Sequence, residues 1–475
     1  MNVFYVAVLT SYSLALMALG LWLGRRVRET GDFFVAGRRL GPGLIFSTML
    51  AANIGAGSTV GATAEGYRNG LAAWWWVGSA AIGSTVLALT VGPAIRRVAA
   101  AHALKTVGDY LEFRYDRRVR ATISVVLWIG TIFILASQLI GLGWILNTVA
   151  ALPTAIGCAI GGLVITAYFA AGGLLTSARV NVVQLAVKLA GFAVALPLVV
   201  NAVGGAPALA GTRGTGAGYW SFWRPDVSLG FLVAYGPAFV VSPGLLQKVF
   251  GARDDHAVRL GVGLNAFGLF CYASVPVILG IAARVLFGTL ADSQQALPFV
   301  LVRPLPAAVG ALGVAAVFSA EISAADAALL MLTTSLSQDL YKRFLAPEAS
   351  DARVLAAARA ATLVSGALGV ALAITSASIV QVLTIFYTLL TVTLFVPIVA
   401  GLYSRSTTAR AALASIWAGI AGMLIIYLLT GGRGWGLVTP AAGGLAAAIA
   451  AWIAAQAFGP GRGEHVVVPD RGHRG

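Results

Sequence analysis

The feature that most restricts this chain is a series of apolar runs, each about 20 residues long, separated by short basic or glycine-containing turns. A helix rises about 1.5 Å per residue, so each run matches the roughly 30 Å of hydrocarbon in a bilayer. The runs fall at 3–23, 43–66, 72–95, 121–149, 153–171, 180–203, 229–250, 261–287, 307–336, 354–375, 378–402, 411–429 and 437–458. We number them predicted spans 1 to 13. With 59% apolar and 10% charged residues, the chain carries more hydrophobic surface than a soluble core could bury. The expected fold class is therefore an all-α, multi-pass integral membrane protein with about 13 transmembrane helices. Gly24-Arg25-Arg26 follows the first run in place of a small-residue cleavage site, so that run reads as a retained span.

The formal charge of +15 does not point to nucleic acid, because the basic residues sit in loops rather than on one face of a soluble domain. About 25 of the 32 Lys and Arg fall on the side holding Arg25, Arg26, Arg38, Arg39, Arg96, Arg97, Arg117 and Arg118. By the positive-inside rule the N-terminus is outside the cell and the C-terminus cytoplasmic. An odd number of spans preserves that asymmetry and an even number scrambles it. Residues 1–458 read as one transmembrane domain, and 459–475, rich in Gly and Arg, as a disordered cytoplasmic tail. Cys158 and Cys271 both lie inside spans, while His102, His256, His465 and His473 lie in loops or the tail. No catalytic or metal-binding cluster is legible, so an enzyme is not expected.

Two spans carry interruptions. Span 2 contains "AANIGAGSTVG" (51–61) and span 7 "AYGPAFVVSPG" (234–244). Gly and Pro loosen a helix and free backbone carbonyls, which lipid forbids unless they line a cavity. Broken helices at corresponding places in two halves mark a transporter's binding site. Spans 2–6 (about 43–203) and 7–11 (about 229–402) would be those halves, with one span before them and two after.

The chain resembles the sodium:solute symporter family, relatives of the sodium/proline and sodium/glucose cotransporters. The resemblance runs from "FFVAGRRLG" (33–41) through "AANIGA", "TVGDYLEFRY" (106–115), "GGLLTSARVNVVQ" (172–184) and "SQDLYKRF" (337–344) to "GLYSRSTTARAA" (401–412). It implies a LeuT-type 5+5 inverted repeat with an extra helix in front. It also implies a sodium ion between spans 2 and 9, held at Ala51, Ile54, Ala320, Ser323 and position 324. A hard cation wants about five or more oxygens, and an unwound helix exposes carbonyls.

Three positions depart from that pattern. Position 324 is alanine, which removes one hydroxyl ligand. In span 6 the family often has Thr-Asp where this chain has Val180-Asn181, while an acid, Asp326, stands on span 9. Lys188 forms an i, i+3, i+7 stripe with Asn181 and Gln184, so it faces inward near mid-depth. Helical side chains lean toward their N-terminus, which brings the ammonium toward Ser323 and Asp326. A lysine there would stand in for the ion. Glu321 is offset by about 100° from Ala320 around the helix and reads as a packing or helix-pairing acid that points away from the ion face. Acids at this depth cost roughly 2.5 to 3.5 kcal/mol on insertion scales, so each should face a partner or a cavity.

The solute cavity is expected between spans 2, 3, 7 and 11, with Asn53, Ser58, Thr59, Tyr235 and Ser242 as contacts and Phe386 and Tyr387 as gates. Trp74 to Trp76 read as an interfacial aromatic belt. Half-helix N-termini favour a small carboxylate or amino acid. Three functional readings follow. The first is a sodium:solute symporter. The second is a proton-coupled or exchanging transporter with Lys188 in the ion's place. The third, from another class, is a membrane sensor on a transporter scaffold.

Overall fold

The computed structural model describes residues 3–24, 38–210, 218–376 and 378–457, which leaves the predicted tail outside the described residues. The described chain is helical, with two isolated β-bridges and no sheet. Ten helical stretches are long and apolar enough to cross a membrane, and Val3–Leu16 and Thr154–Ala167 are shorter apolar helices. Side chains such as Leu163, Phe267 and Leu428 are more than 65% exposed along these helices. Large apolar groups facing outward mean that the surrounding solvent is lipid.

Helix α1 is Val3–Gly24. The second predicted span falls into α2 (Pro42–Asn53) and α3 (Ala62–Asn69), the latter led by a π turn, Gly57–Gly61. After a turn at Gly70, whose φ is +62°, come α4 (Trp74–Val86) and α5 (Gly92–Ala101), joined by the π segment Leu87–Val91. Thr106 and Asp109 close a capping box on the short α6 (Val107–Arg114), and the Asp116 carboxylate accepts the first amides of α7 (Arg117–Ala150). Then follow α8 (Thr154–Val203), α9 (Ala206–Ala210), α10 (Pro225–Val241) and α11 (Pro243–Phe250), the last two separated at Ser242. The remaining helices are α12 (Asp255–Tyr272), α13 (Ser274–Phe287), α14 (Ala296–Val302), α15 (Ala307–Thr334) with the π segment Ser335–Leu345, α16 (Asp351–Thr375), α17 (Ile379–Tyr403), α18 (Ala409–Thr430) and α19 (Pro440–Ala457).

Helical backbone is assigned throughout Thr154–Val203, although spans 5 and 6 were expected to separate at 172–179. A straight helix of 50 residues would be about 75 Å long, more than twice the bilayer. The contacts of its two arms resolve this. Gly143 of α7 packs on Thr154 and Gly162 packs on Leu139, so the first arm runs antiparallel to α7. Arg120 of α7 pairs with Asp339 and Gly141 packs on Glu321, so α7 runs antiparallel to α15 and its π extension. Lys188 meets Ser323 and Gly191 meets Ala316, so the second arm is also antiparallel to α15. The two arms therefore run antiparallel to each other.

Glycine sets the closest approach beside the broken helix. A Cβ on Gly66 would lie 2.8 Å from the Val277 backbone, and one on Gly280 would lie 2.3 Å from the Thr63 carbonyl. Thus α3 and α13 touch backbone to backbone, as small residues allow in a membrane bundle.

Candidate functional site

The interruption between α2 and α3 is the start of the site. In a continuous helix the Gly55 amide would bond to the Ala51 carbonyl. Here it bonds to Ser58 Oγ at 3.0 Å, and the Ser58 amide bonds to the Gly55 carbonyl instead of that of Ile54. Gln138 of α7 holds the strand of the break from outside, its Oε1 accepting the Ala56 amide at 2.8 Å. The carbonyls of Ala51 and Ile54 are left without helical donors.

Lys188, fully buried on the second arm of α8, supplies those donors. Its Nζ donates to the Ala51 carbonyl at 2.5 Å, to the Ile54 carbonyl at 3.0 Å and to Ser323 Oγ. Ser323 Oγ in turn reaches the Ala51 carbonyl at 2.7 Å and the Ala320 carbonyl at 3.2 Å. Three donated bonds use all three protons of an ammonium, whereas a neutral amine has two. As an ammonium the side chain would be a tethered cation seated on the oxygens of Ala51, Ile54 and Ser323. These are the oxygens that the resemblance assigned to sodium. With the ammonium on three of them and Ala324 giving no hydroxyl, the residues present do not fit a sodium ion at this position.

The two acids of α15 take different surroundings. Asp326 is fully buried one turn beyond Ser323, and Asn181 is also buried. Both acids lie within electrostatic range of Lys188. Glu321 points toward α7 and the break. A Cβ on Gly141 would meet its carboxyl carbon at 2.8 Å, and its Oε1 lies 3.0 Å from Thr59 Oγ1. Glu321 thus joins α15 to α7 and to the break, a helix-pairing position whose partners its helical offset alone did not reveal.

At the break lies a cavity of about 30 Å³ lined by Asn53, Ser58, Gln138, Ala324 and four rings, Trp76, Tyr235, Phe239 and Tyr387. The rings form a continuous wall. Trp76 and Tyr235 have centroids 4.7 Å apart, Tyr235 and Tyr387 4.6 Å, and Phe239 and Tyr387 5.3 Å. Of the predicted contacts, Asn53, Ser58, Tyr235 and Tyr387 line this cavity. Thr59 faces Glu321, Ser242 marks the α10–α11 break, and Phe386 packs behind Tyr387. Trp76 was grouped with Trp74 and Trp75 as a belt. It is 3% exposed and belongs to the cavity, whereas Trp74 and Trp75 pack on Phe222 and Trp75 also on Trp223. A run of three tryptophans hides this difference, because successive helical residues turn by about 100°. On the other side of the ring wall a second cavity of about 570 Å³ opens, lined by Tyr235, Thr384, Thr388, Gln381 and Tyr427.

Toward the end of the bundle that carries Arg117 and Arg118, a charged knot closes the helices. Arg120 bonds Asp339 at 2.7 Å, Asp109 at 2.9 Å and Glu112 at 3.0 Å, while Thr106 Oγ1 donates to Asp339 at 2.7 Å. Arg343 holds Glu112 as well. The motifs "TVGDYLEFRY" and "SQDLYKRF", 233 residues apart between Thr106 and Asp339, thus meet at one guanidinium. Burial pushes the Glu112 carboxyl up, but the hydrogen bonds from Arg343 and Arg120 outweigh it and hold the group below the usual glutamate range.

Broken helices around a ring-walled cavity, with buried charge at mid-depth, define a membrane transporter rather than an enzyme. A profile of the sodium:solute symporter family matches residues 33–419, and the chain belongs to that family. The human sodium/iodide cotransporter is 27% identical over 360 residues, 69% of this chain and 55% of its own length. The sodium/pantothenate symporter of Escherichia coli is 26% identical and covers 89% of this chain and 90% of itself. Among solved structures, a sodium-coupled sialic acid symporter in its substrate-bound outward-open state superposes with a TM-score of 0.82 at 19% identity, covering 96% of this chain and 98% of that one. The chain shares the fold of that LeuT-type transporter.

Proposed function

We propose that this protein is a secondary transporter that moves a small organic solute by alternating access, with the Lys188 ammonium in place of a sodium ion between α2 and α15. The observation that carries the reading is the triple donation from Lys188 Nζ to Ala51, Ile54 and Ser323. A bound sodium would tie the broken helix to α15 and leave with the solute. A lysine makes the same tie but is covalently attached and does not leave with the solute, so the cycle needs another ion or an exchanged solute. In this reading, spans 2–6 and 7–11 are the two halves that rock about the site, in a bundle of 13 helices. The loop charges support a cytoplasmic Arg120 end, with the N-terminus outside. The solute is a small carboxylate or amino acid. The Gly55 and Ala56 amides, now held by Ser58 and Gln138, are the donors its negative group would take over.

A second reading, sodium:solute symport, is favoured by the family and by the relatives, whose names state sodium coupling. It requires Lys188 to leave the Ala51 and Ile54 carbonyls. The deciding experiment is uptake into proteoliposomes of a panel of radiolabelled amino acids and small carboxylates, with sodium replaced on both sides by N-methyl-D-glucamine. Uptake of a panel member without sodium is the expected result. Uptake seen only under an inward sodium gradient would restore symport.

A further inference from the structure

We propose that the solute carries a methylated ammonium, as a betaine does, and that the ring wall of Trp76, Tyr235, Phe239 and Tyr387 is the surface that receives it. Calling the occupant a solute rests on the transporter reading above, whereas the affinity of the wall for such a cation is tested without transport.

The wall is curved around the smaller cavity. Neighbouring ring planes tilt by 49° from Trp76 to Tyr235 and by 44° from Tyr235 to Tyr387, and Phe239 tilts by 28° to Tyr387. A flat ligand stacks on one parallel face, whereas inclined faces lining one cavity turn their negative quadrupoles toward a shared point. That arrangement suits a compact, nearly spherical cation. The Tyr235 hydroxyl lies 3.3 Å from Thr384 Oγ1, and both residues line the larger cavity. Tyr235 therefore gives the smaller cavity its ring rather than its oxygen.

The polar groups narrow the cation further. Among the described residues, none that lines the smaller cavity carries a charge. Ser58 Oγ accepts the Gly55 amide and donates to the Asn53 carbonyl at 2.8 Å. Gln138 accepts the Ala56 amide and donates to the Ile134 carbonyl and Ser137 Oγ, while Asn53 Nδ2 donates to Asn265 at 3.0 Å. A primary ammonium brings three N–H donors, each of which needs an acceptor once it leaves water. A fully methylated one brings none. Its charge is met by ring faces, and its methyl groups by Val77, Leu269 and Leu383, which also line the cavity. The carboxylate of the same molecule takes the Gly55 and Ala56 amides. A Cβ on Gly57 would lie 3.8 Å from Trp76, so the break and the wall are close enough for one small zwitterion to touch both.

The smaller cavity, about 30 Å³, has room for about one water, so the rings part to admit the solute. The larger cavity beyond Tyr235, about 570 Å³, gives that ring space to move into.

The test is isothermal titration calorimetry on the full-length protein in detergent with four probes: trimethylglycine, glycine, tetramethylammonium and the tert-butyl isostere of trimethylglycine, in which carbon replaces the charged nitrogen. The expected result is that trimethylglycine binds more tightly than glycine and about tenfold or more tighter than its uncharged-headed isostere. Trp76→Leu should erase the preference over the isostere, and Tyr387→Phe, which keeps the ring, should retain it. If Trp76→Leu does not fold, Tyr387→Leu serves beside Tyr387→Phe. Equal affinity for trimethylglycine and the isostere, tighter binding of glycine, or no binding of either methylated cation overturns the proposal. A methylated cation that binds but is not moved into proteoliposomes would sink the transporter reading and leave this one. Uptake of an unmethylated amino acid, with no binding of the methylated probes, would do the reverse.

Discussion

Lys188 Nζ lies 2.5 Å from the Ala51 carbonyl, across 137 residues of sequence and from the second arm of α8 to the broken end of α2. The contact turns an interruption that would otherwise leave buried carbonyls unpaired into a closed hydrogen-bond network.

Removing the ammonium should therefore cost stability before any transport is measured. Lys188→Ala leaves the Ile54 carbonyl without its donor and the Ala51 carbonyl with Ser323 Oγ alone, and breaking a buried charged contact costs about 3 to 5 kcal/mol. The expected outcome is a melting temperature lowered by several degrees in detergent, measured by intrinsic fluorescence. Ser323→Ala, which removes one acceptor and keeps two, should fall between the two proteins.

The notch at Gly141 offers a separate check on Glu321. A methyl group there would press on the carboxyl, with contacts of 2.8 to 3.0 Å. Overpacking of that kind costs about 1 to 3 kcal/mol. Gly141→Ala should lower the melting temperature, and most of that loss should disappear in Gly141→Ala combined with Glu321→Ala, which clears the space. Additive losses in the double variant would mean that the two residues are not in contact.

At the Arg120 knot the expected pH dependence has a definite sign. Glu112 is held below the usual glutamate range, so its contribution is present above the unfolded value of about 4.3 and is lost as pH falls through the folded one. Glu112→Gln should thus melt below the wild type at neutral pH, and the gap should close in acid. A gap that stays constant down to strongly acid pH would show that the variant acts through something other than the charge.

Trp76 and Trp75 separate a cavity role from an interfacial one. Trp76→Leu opens the ring wall beside Tyr235 and should change solute affinity in the uptake assay while leaving membrane insertion intact. Trp75→Leu, whose indole nitrogen donates to the Phe222 carbonyl at the surface, should do neither. Equal effects of the two would return Trp76 to the belt.

Much of this was legible because membranes make the rules strict. The break after Asn53 follows from glycines and a serine that captures the Gly55 amide, and the break at Ser242 from the Pro243 that follows it. The stripe of Asn181, Gln184 and Lys188 fixed which face of α8 turns inward, and all three are buried. What periodicity could not supply was the pairing of Glu321. Its surroundings are built from a residue beyond a break, Thr59, and from a missing side chain, Gly141, and neither leaves a signal on α15 itself. The glycine pair at 172–173 falls between the two arms of Thr154–Val203, which run antiparallel as two separate spans would. The meeting of two distant motifs at Arg120 required the three-dimensional path of the chain.

The central claim is that a lysine occupies the ion's position. Its most direct test is the thermal stability of the purified wild type in sodium against equal N-methyl-D-glucamine, beside Lys188→Ala. A ligand that binds only the folded state stabilises it by RT ln(1 + [L]/Kd), about 2.7 kcal/mol at a hundredfold excess over Kd, so no solute is needed. The account predicts identical melting curves for the wild type in the two cations. A sodium-dependent rise in the wild-type melting temperature that vanishes in Ser323→Ala would contradict it.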